Sequence, residues 1–107
     1  MSKGAEMIVT ERLRQITEEG YSKEHDRRHI NDELILAAIA YAIYGRHTQV
    51  LEKRDMPEGV MFADPWPWPM SFDNRENHDQ LRRLVIAAAL IAAEIDRLLA
   101  RGDLNDK

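Results

Sequence analysis

The sequence predicts an all-α domain: a bundle of three main helices at about residues 5–19, 32–44 and 79–100, with a long Pro/Trp-rich connection packed across it. Three observations carry that expectation. Apolar residues recur at three- and four-residue spacing near both ends of the chain, the period of a helix with one buried face. Alanine-rich apolar stretches and few aromatics, 7% of residues, favour helix over sheet. Glycines stand where the periodic stretches run out, at Gly20, Gly45 and Gly102. At 107 residues the chain makes a single domain, 1–107, with a modest core.

The first helix runs from Ala5 to Glu19. Ala5, Ile8, Val9, Leu13 and Ile16 form its expected core stripe, and Glu11, Arg12, Arg14, Gln15, Glu18 and Glu19 lie opposite. Arg14 and Glu18 are four residues apart and therefore neighbours on the helix surface. Tyr21 to Ile30 reads as a polar connector, in which Ser22 can cap a short turn. Asn31 or Asp32 is the expected side-chain cap of the second helix, with Glu33 favourable in its first turn. From Leu34 to Ile43 every direction around that helix is apolar, so it is expected to be buried. Two neighbours cannot wrap it fully, which calls for cover by the long connection or by another chain.

The connection, 45–77, holds all four prolines, both tryptophans and both phenylalanines. Such long aperiodic stretches are usually functional or mobile. Trp66-Pro67-Trp68-Pro69 is expected to be extended, because a residue before proline is pushed out of the helical region. His78 or Asp79 opens the third helix. Its expected core stripe is Leu81, Leu84, Val85, Ala88, Ile91, Ala92, Ile95, Leu98 and Leu99. Ile86, Leu90 and Ala93 form a second apolar side, which points to cover by the loop or to a subunit contact, and a homo-oligomer is expected. Residues 102–107 read as a polar tail.

Composition excludes several classes. A net charge of −4 argues against general nucleic-acid binding, which needs a basic face. The absence of cysteine removes disulfides and thiolate catalysis and fits a reducing compartment. The apolar run Leu84 to Ala93 is far short of the ~20 residues of a membrane span. No secretion-signal pattern opens the chain. A cytoplasmic protein is expected.

Three constellations are candidates for chemistry. His25-Asp26-x-x-His29 has a spacing that suits an imidazole-bound metal if one helix runs through it; otherwise these side chains cap helix ends. The acids Glu11, Glu18, Glu19, Glu33, Glu94 and Asp96 are loosely reminiscent of helical MazG-type nucleotide pyrophosphohydrolases, which hold magnesium with carboxylates from several helices. The paired acidic signature of those enzymes is not present cleanly. The alternative is salt bridges to Arg12, Arg14, Arg83 or Arg97. Glu94, at the border of the third helix's stripe, is expected to pair with Arg12 or Arg14. Finally, Trp66 and Trp68 are two rigid aromatics that either plug the gap over helices two and three or form a ligand platform.

These residues also carry a resemblance. Glu11-Arg12-x-Arg14-Gln15-x-x-x-Glu19-Gly20, His25-Asp26-x-x-His29, Glu33-Leu34 with Ala37-Ala38 and Tyr41-Ala42, Trp66-Pro67-Trp68 and the Arg83 to Arg97 stretch with Ala93-Glu94-Ile95-Asp96-Arg97 together span most of the chain. In this pattern the chain resembles an uncharacterised family of short helical proteins of bacteriophages and prophages. The resemblance implies a phage or prophage origin and a helical fold, and it implies no activity. Relatives often carry a second acid where this chain has Arg27. They also tend to place further tryptophans where it has Pro69-Met70-Ser71-Phe72.

The expected function is a non-enzymatic binding or interaction module, a phage accessory protein acting on a host protein or a small nucleotide. Its binding residues would be Arg14, Glu18, His25, His29, Trp66 and Trp68, with Arg12, Arg14, Glu94 and Arg97 in structural ion pairs and no cofactor. The competing class is a magnesium- or manganese-dependent pyrophosphohydrolase with Asp26, Glu33 and Glu94 among its ligands. A third possibility is a structural oligomer without a ligand.

Overall fold

The computed structural model describes residues 1–18, 32–46 and 64–101, and their fold is all-α. The described residues include three α-helices: α1 (Lys3–Glu18), α2 (Glu33–Ile43) and α3 (Gln80–Arg101). Two single 3-10 turns, Met70–Phe72 and Arg75–Asn77, precede α3. No helix among the described residues is long and apolar enough to cross a membrane.

Local signals account for the ends. Ser2 Oγ accepts from the Ala5 amide at 3.1 Å and opens α1. Asp79 opens α3 in the same way, its Oδ1 accepting from the Arg82 amide at 2.8 Å. Gly45 takes φ +73 and ends α2, a conformation that is cheap for glycine alone. Asp32 departs from its expected role. It stands at the start of α2 but adopts a left-handed backbone, φ 62 and ψ 21, and its side chain makes no capping bond. A capping side chain reaches the first-turn amides from extended backbone, which Asp32 does not have. Its carbonyl instead receives the Leu36 amide at 3.0 Å.

α3 is the central element, with α1 and α2 both packed against it. Leu34, Ala37, Ala38 and Tyr41 of α2 meet Ile86, Ala87, Leu90 and Ala93 of α3 in one buried cluster. Small side chains at Ala37, Ala38, Ala87 and Ala93 let the two helices approach closely. Trp66 and Trp68 pack against the same cluster from above.

The expected inward faces of α1 and α3 are overturned. On α1, Glu11, Arg12 and Gln15 are buried while Val9 and Leu13 are 46% and 57% exposed. On α3, Val85 is the one member of the expected stripe that is buried. Leu81, Leu84, Ile91, Ile95 and Leu99 all lie outside, 44–59% exposed. The core uses the second apolar side, Ile86, Leu90 and Ala93. The reason is that α3 is apolar on two arcs, and the partners decide which arc is covered. α2 is largely buried as expected, but Ile39 and Ala42 are exposed.

Candidate functional site

A cavity of about 760 Å³ opens between α1, α2 and the segment before α3. Ile86 and Leu90 of α3 line it, and both are buried. Tyr41, Trp66, Trp68 and Phe72 supply aromatic surface, and Glu11, Arg14, Gln15 and Arg82 form a polar wall. His78, Asn74 and Ser71 complete the lining.

The polar wall is built on helical spacing. Glu11, Arg14 and Gln15 sit at i, i+3 and i+4, one face of α1. Glu11 is 1% exposed and its carboxylate is the hub. Arg14 donates to it twice, Nε to Oε1 at 2.9 Å and Nη2 to Oε2 at 2.8 Å. Arg82 Nη2 reaches the same carboxylate from α3. Gln15 Nε2 donates to Oε2 at 3.3 Å. Burial pushes the Glu11 carboxyl up, but the bonds and charges of Arg14 and Arg82 outweigh it and hold it below its ordinary value. Arg14 also reaches exposed Glu18, Nη1 to Oε2 at 3.3 Å.

Two features of this wall stand out. Gln15 is 1% exposed, and its Oε1 has no hydrogen-bond partner among the described residues. A buried acceptor left unmet is costly, so such atoms ask for an explanation. Arg82 gives one nitrogen to Glu11, and its side chain remains 37% exposed. Its other N–H groups are open donors among the described residues.

The aromatic wall is fixed by a second arginine. Arg75 is 3% exposed and lies between two aspartates. It donates to Asp73 at 2.8 and 2.7 Å and to Asp64 at 2.9 and 2.8 Å. Those bonds hold both aspartates below their ordinary range, against the opposing effect of burial. The Arg75 guanidinium also lies 4.8 Å over Trp66 and 5.0 Å over Tyr44. Trp66 meets Tyr41 and Trp68 edge-on, with centroids 5.8 and 5.5 Å apart. Trp66 and Trp68 thus cover the core and wall the cavity at once.

The expected site is divided by the structure. Arg14, Trp66 and Trp68 come together at the cavity, and Glu18 is tied to Arg14 at its edge. His25, His29 and Asp26 lie outside the described residues. Glu33 begins α2 and Glu94 sits on α3, neither lining the cavity. Glu94 does not pair with Arg12 or Arg14 as expected. It pairs with Arg97 one turn on, at 2.8 and 2.7 Å, because α1 crosses α3 on another flank. Arg12 binds Asp96 instead, at 3.2 and 2.9 Å. Among the described residues no group of three His, Asp or Glu is gathered to hold a metal.

Gln15, Tyr41 and Arg82 are among the site residues that sequence reasoning missed. Gln15 had a signal, four residues from Glu11 on the same face. Arg82 had none, since its partner is 71 residues away. The chain matches no protein-family model, no curated protein and no solved structure.

Proposed function

We propose that the protein is a non-enzymatic binding module whose cavity takes a small nucleotide. The single observation that carries this reading is the orphan Gln15 amide oxygen in an aromatic-walled cavity beside an arginine with open donors. A nucleobase matches it: a flat ring for Trp66, Trp68 and Tyr41, and an edge N–H for Gln15 Oε1. Arg82 and Arg14 then stand where a phosphate is neutralised. The volume lies within the ~300–1,000 Å³ usual for small-ligand sites. In this reading the whole chain is a bundle of three main helices with the 45–77 connection packed across it, and the phage resemblance makes it an accessory protein of the host-cell cytoplasm.

Both tryptophans of the chain line the cavity, so intrinsic tryptophan fluorescence reports on it directly. Titration with nucleoside mono- and triphosphates should give saturable quenching. The quenching should weaken at least about tenfold in Arg82→Ala and in Gln15→Leu, the size expected when a charge-assisted bond is removed. No fluorescence change and no heat with any nucleotide at millimolar concentration would refute the proposal. Turnover of a nucleoside triphosphate with magnesium or manganese, lost in Glu33→Ala or Glu94→Ala, would replace it with the enzymatic alternative.

A further inference from the structure

A glutamine can show a ligand either end of its amide, the donor Nε2 or the acceptor Oε1. In this cavity Glu11 makes the choice. Its buried carboxylate takes two bonds from Arg14, at 2.9 and 2.8 Å, and one from Arg82. Those cations keep it ionised, below its ordinary pKa. An ionised carboxylate only accepts hydrogen bonds. Gln15, one turn further along α1, therefore turns Nε2 towards Glu11 and donates to Oε2 at 3.3 Å. The reverse orientation would set its Oε1 against a carboxylate oxygen, acceptor against acceptor. What the amide has left is Oε1, a buried acceptor without a hydrogen-bond partner among the described residues, in a side chain that lines the cavity.

This polarity separates one class of base from another. Trp66, Trp68 and Tyr41 offer aromatic surface to any base alike, since every base has a π-face. Discrimination falls to the polar wall. Oε1 is itself buried in that wall, so a donor that meets it has to project from its ring. The exocyclic amines of adenine, guanine and cytosine project in this way. Hypoxanthine and uracil carry a carbonyl oxygen where adenine and cytosine carry the amine, and their ring N–H lies set back beside it. Against Oε1 that carbonyl is a second acceptor, and both oxygens stay unmet at the full cost of their desolvation. We infer that the cavity selects nucleotides whose base bears an exocyclic amine, with Gln15 Oε1 reading the amine and Glu11 as the positioning residue that fixes Gln15. The inference deepens the nucleotide reading of the cavity and rests on it.

Calorimetric titration of the full chain with five nucleoside monophosphates tests this. Adenosine and guanosine monophosphates are each compared with inosine monophosphate, and cytidine with uridine monophosphate. Within each pair the ring system, ribose and phosphate are shared and an amine is lost. At least one amino nucleotide should bind about tenfold or more tightly than its counterpart, as expected when a buried acceptor is left unmet. Gln15→Leu should bring that pair level by weakening the amino nucleotide. Glu11→Gln, which frees the Gln15 amide to turn round, should narrow the same ratio. The wild-type ratio and Gln15→Leu decide the matter if Glu11→Gln does not fold. Equal or tighter binding of the inosine and uridine nucleotides would overturn the inference and leave the nucleotide reading standing, as would a preference that survives in Gln15→Leu or in a folded Glu11→Gln. No binding of any of the five at millimolar concentration would remove both.

Discussion

Among the described residues α3 meets α2 and α1 through surfaces built from opposite materials. Against α2 it presents Ile86, Ala87, Leu90 and Ala93 to Leu34, Ala37, Ala38 and Tyr41, a dry surface of small and branched side chains. Against α1 it presents Arg82 and Asp96 to Glu11 and Arg12, two half-buried ion pairs. The first contact removes apolar area from water and holds no group that titrates with acid or is screened by ions. The second adds little net free energy while intact, because desolvating the charges offsets their attraction. Its members matter when one is removed, and they hold α1 at one register on α3. Burial thus stabilises one side of the molecule, while the other is specified by complementarity and carries the polar wall of the cavity.

The comparison can be broken most severely at Glu11. Glu11→Ala leaves Arg14 and Arg82 without their shared carboxylate and should cost about 3 kcal/mol, the low end for a buried charge network, since both arginines retain access to water. Urea denaturation followed by circular dichroism measures it. The apolar contact should respond to volume instead. Ala37→Leu inserts side-chain atoms where exposure is 0% and should cost about 1–3 kcal/mol by overpacking, with no added pH dependence.

Acid sharpens the contrast. The Glu11, Asp64 and Asp73 carboxyls are lowered from ordinary values of 4.5, 3.8 and 3.8. The stability they contribute is present above those ordinary values and is lost as pH falls through the lowered ones. Thermal melts should therefore show Tm falling below about pH 4.5, with a shallower fall in Glu11→Ala than in the wild type. The smallest effect belongs to Glu18, whose side chain is 64% exposed in its pair with Arg14. Glu18→Ala should change stability by at most about 0.5 kcal/mol, as exposed helix pairs do, and a double-mutant cycle with Arg14 would measure it.

Three residues of the cavity lining were readable before any fold was known. Arg14, Trp66 and Trp68 stood out because charge at helical spacing and aromatics between prolines are local signals. Gln15 needed the further fact that Glu11 is buried, and Arg82 needed the crossing of two helices distant in sequence. Trp66 is held by Arg75, itself pinned by Asp64 and Asp73, a lock in which only the short Asp73–Arg75 spacing is visible in the sequence.

By itself the sequence determined that the described residues are helical and marked some of the ends, Gly45 and Asp79 among them, because such signals act within a few residues. Tertiary structure alone decided which face of each helix turned inward. α1 is amphipathic and α3 apolar on two arcs, and no local rule tells a covered arc from a bare one. That choice rests on what stands opposite. Arg82 and Asp96 drew the polar face of α1 inward, and the stripes that periodicity assigned to the core were left outside.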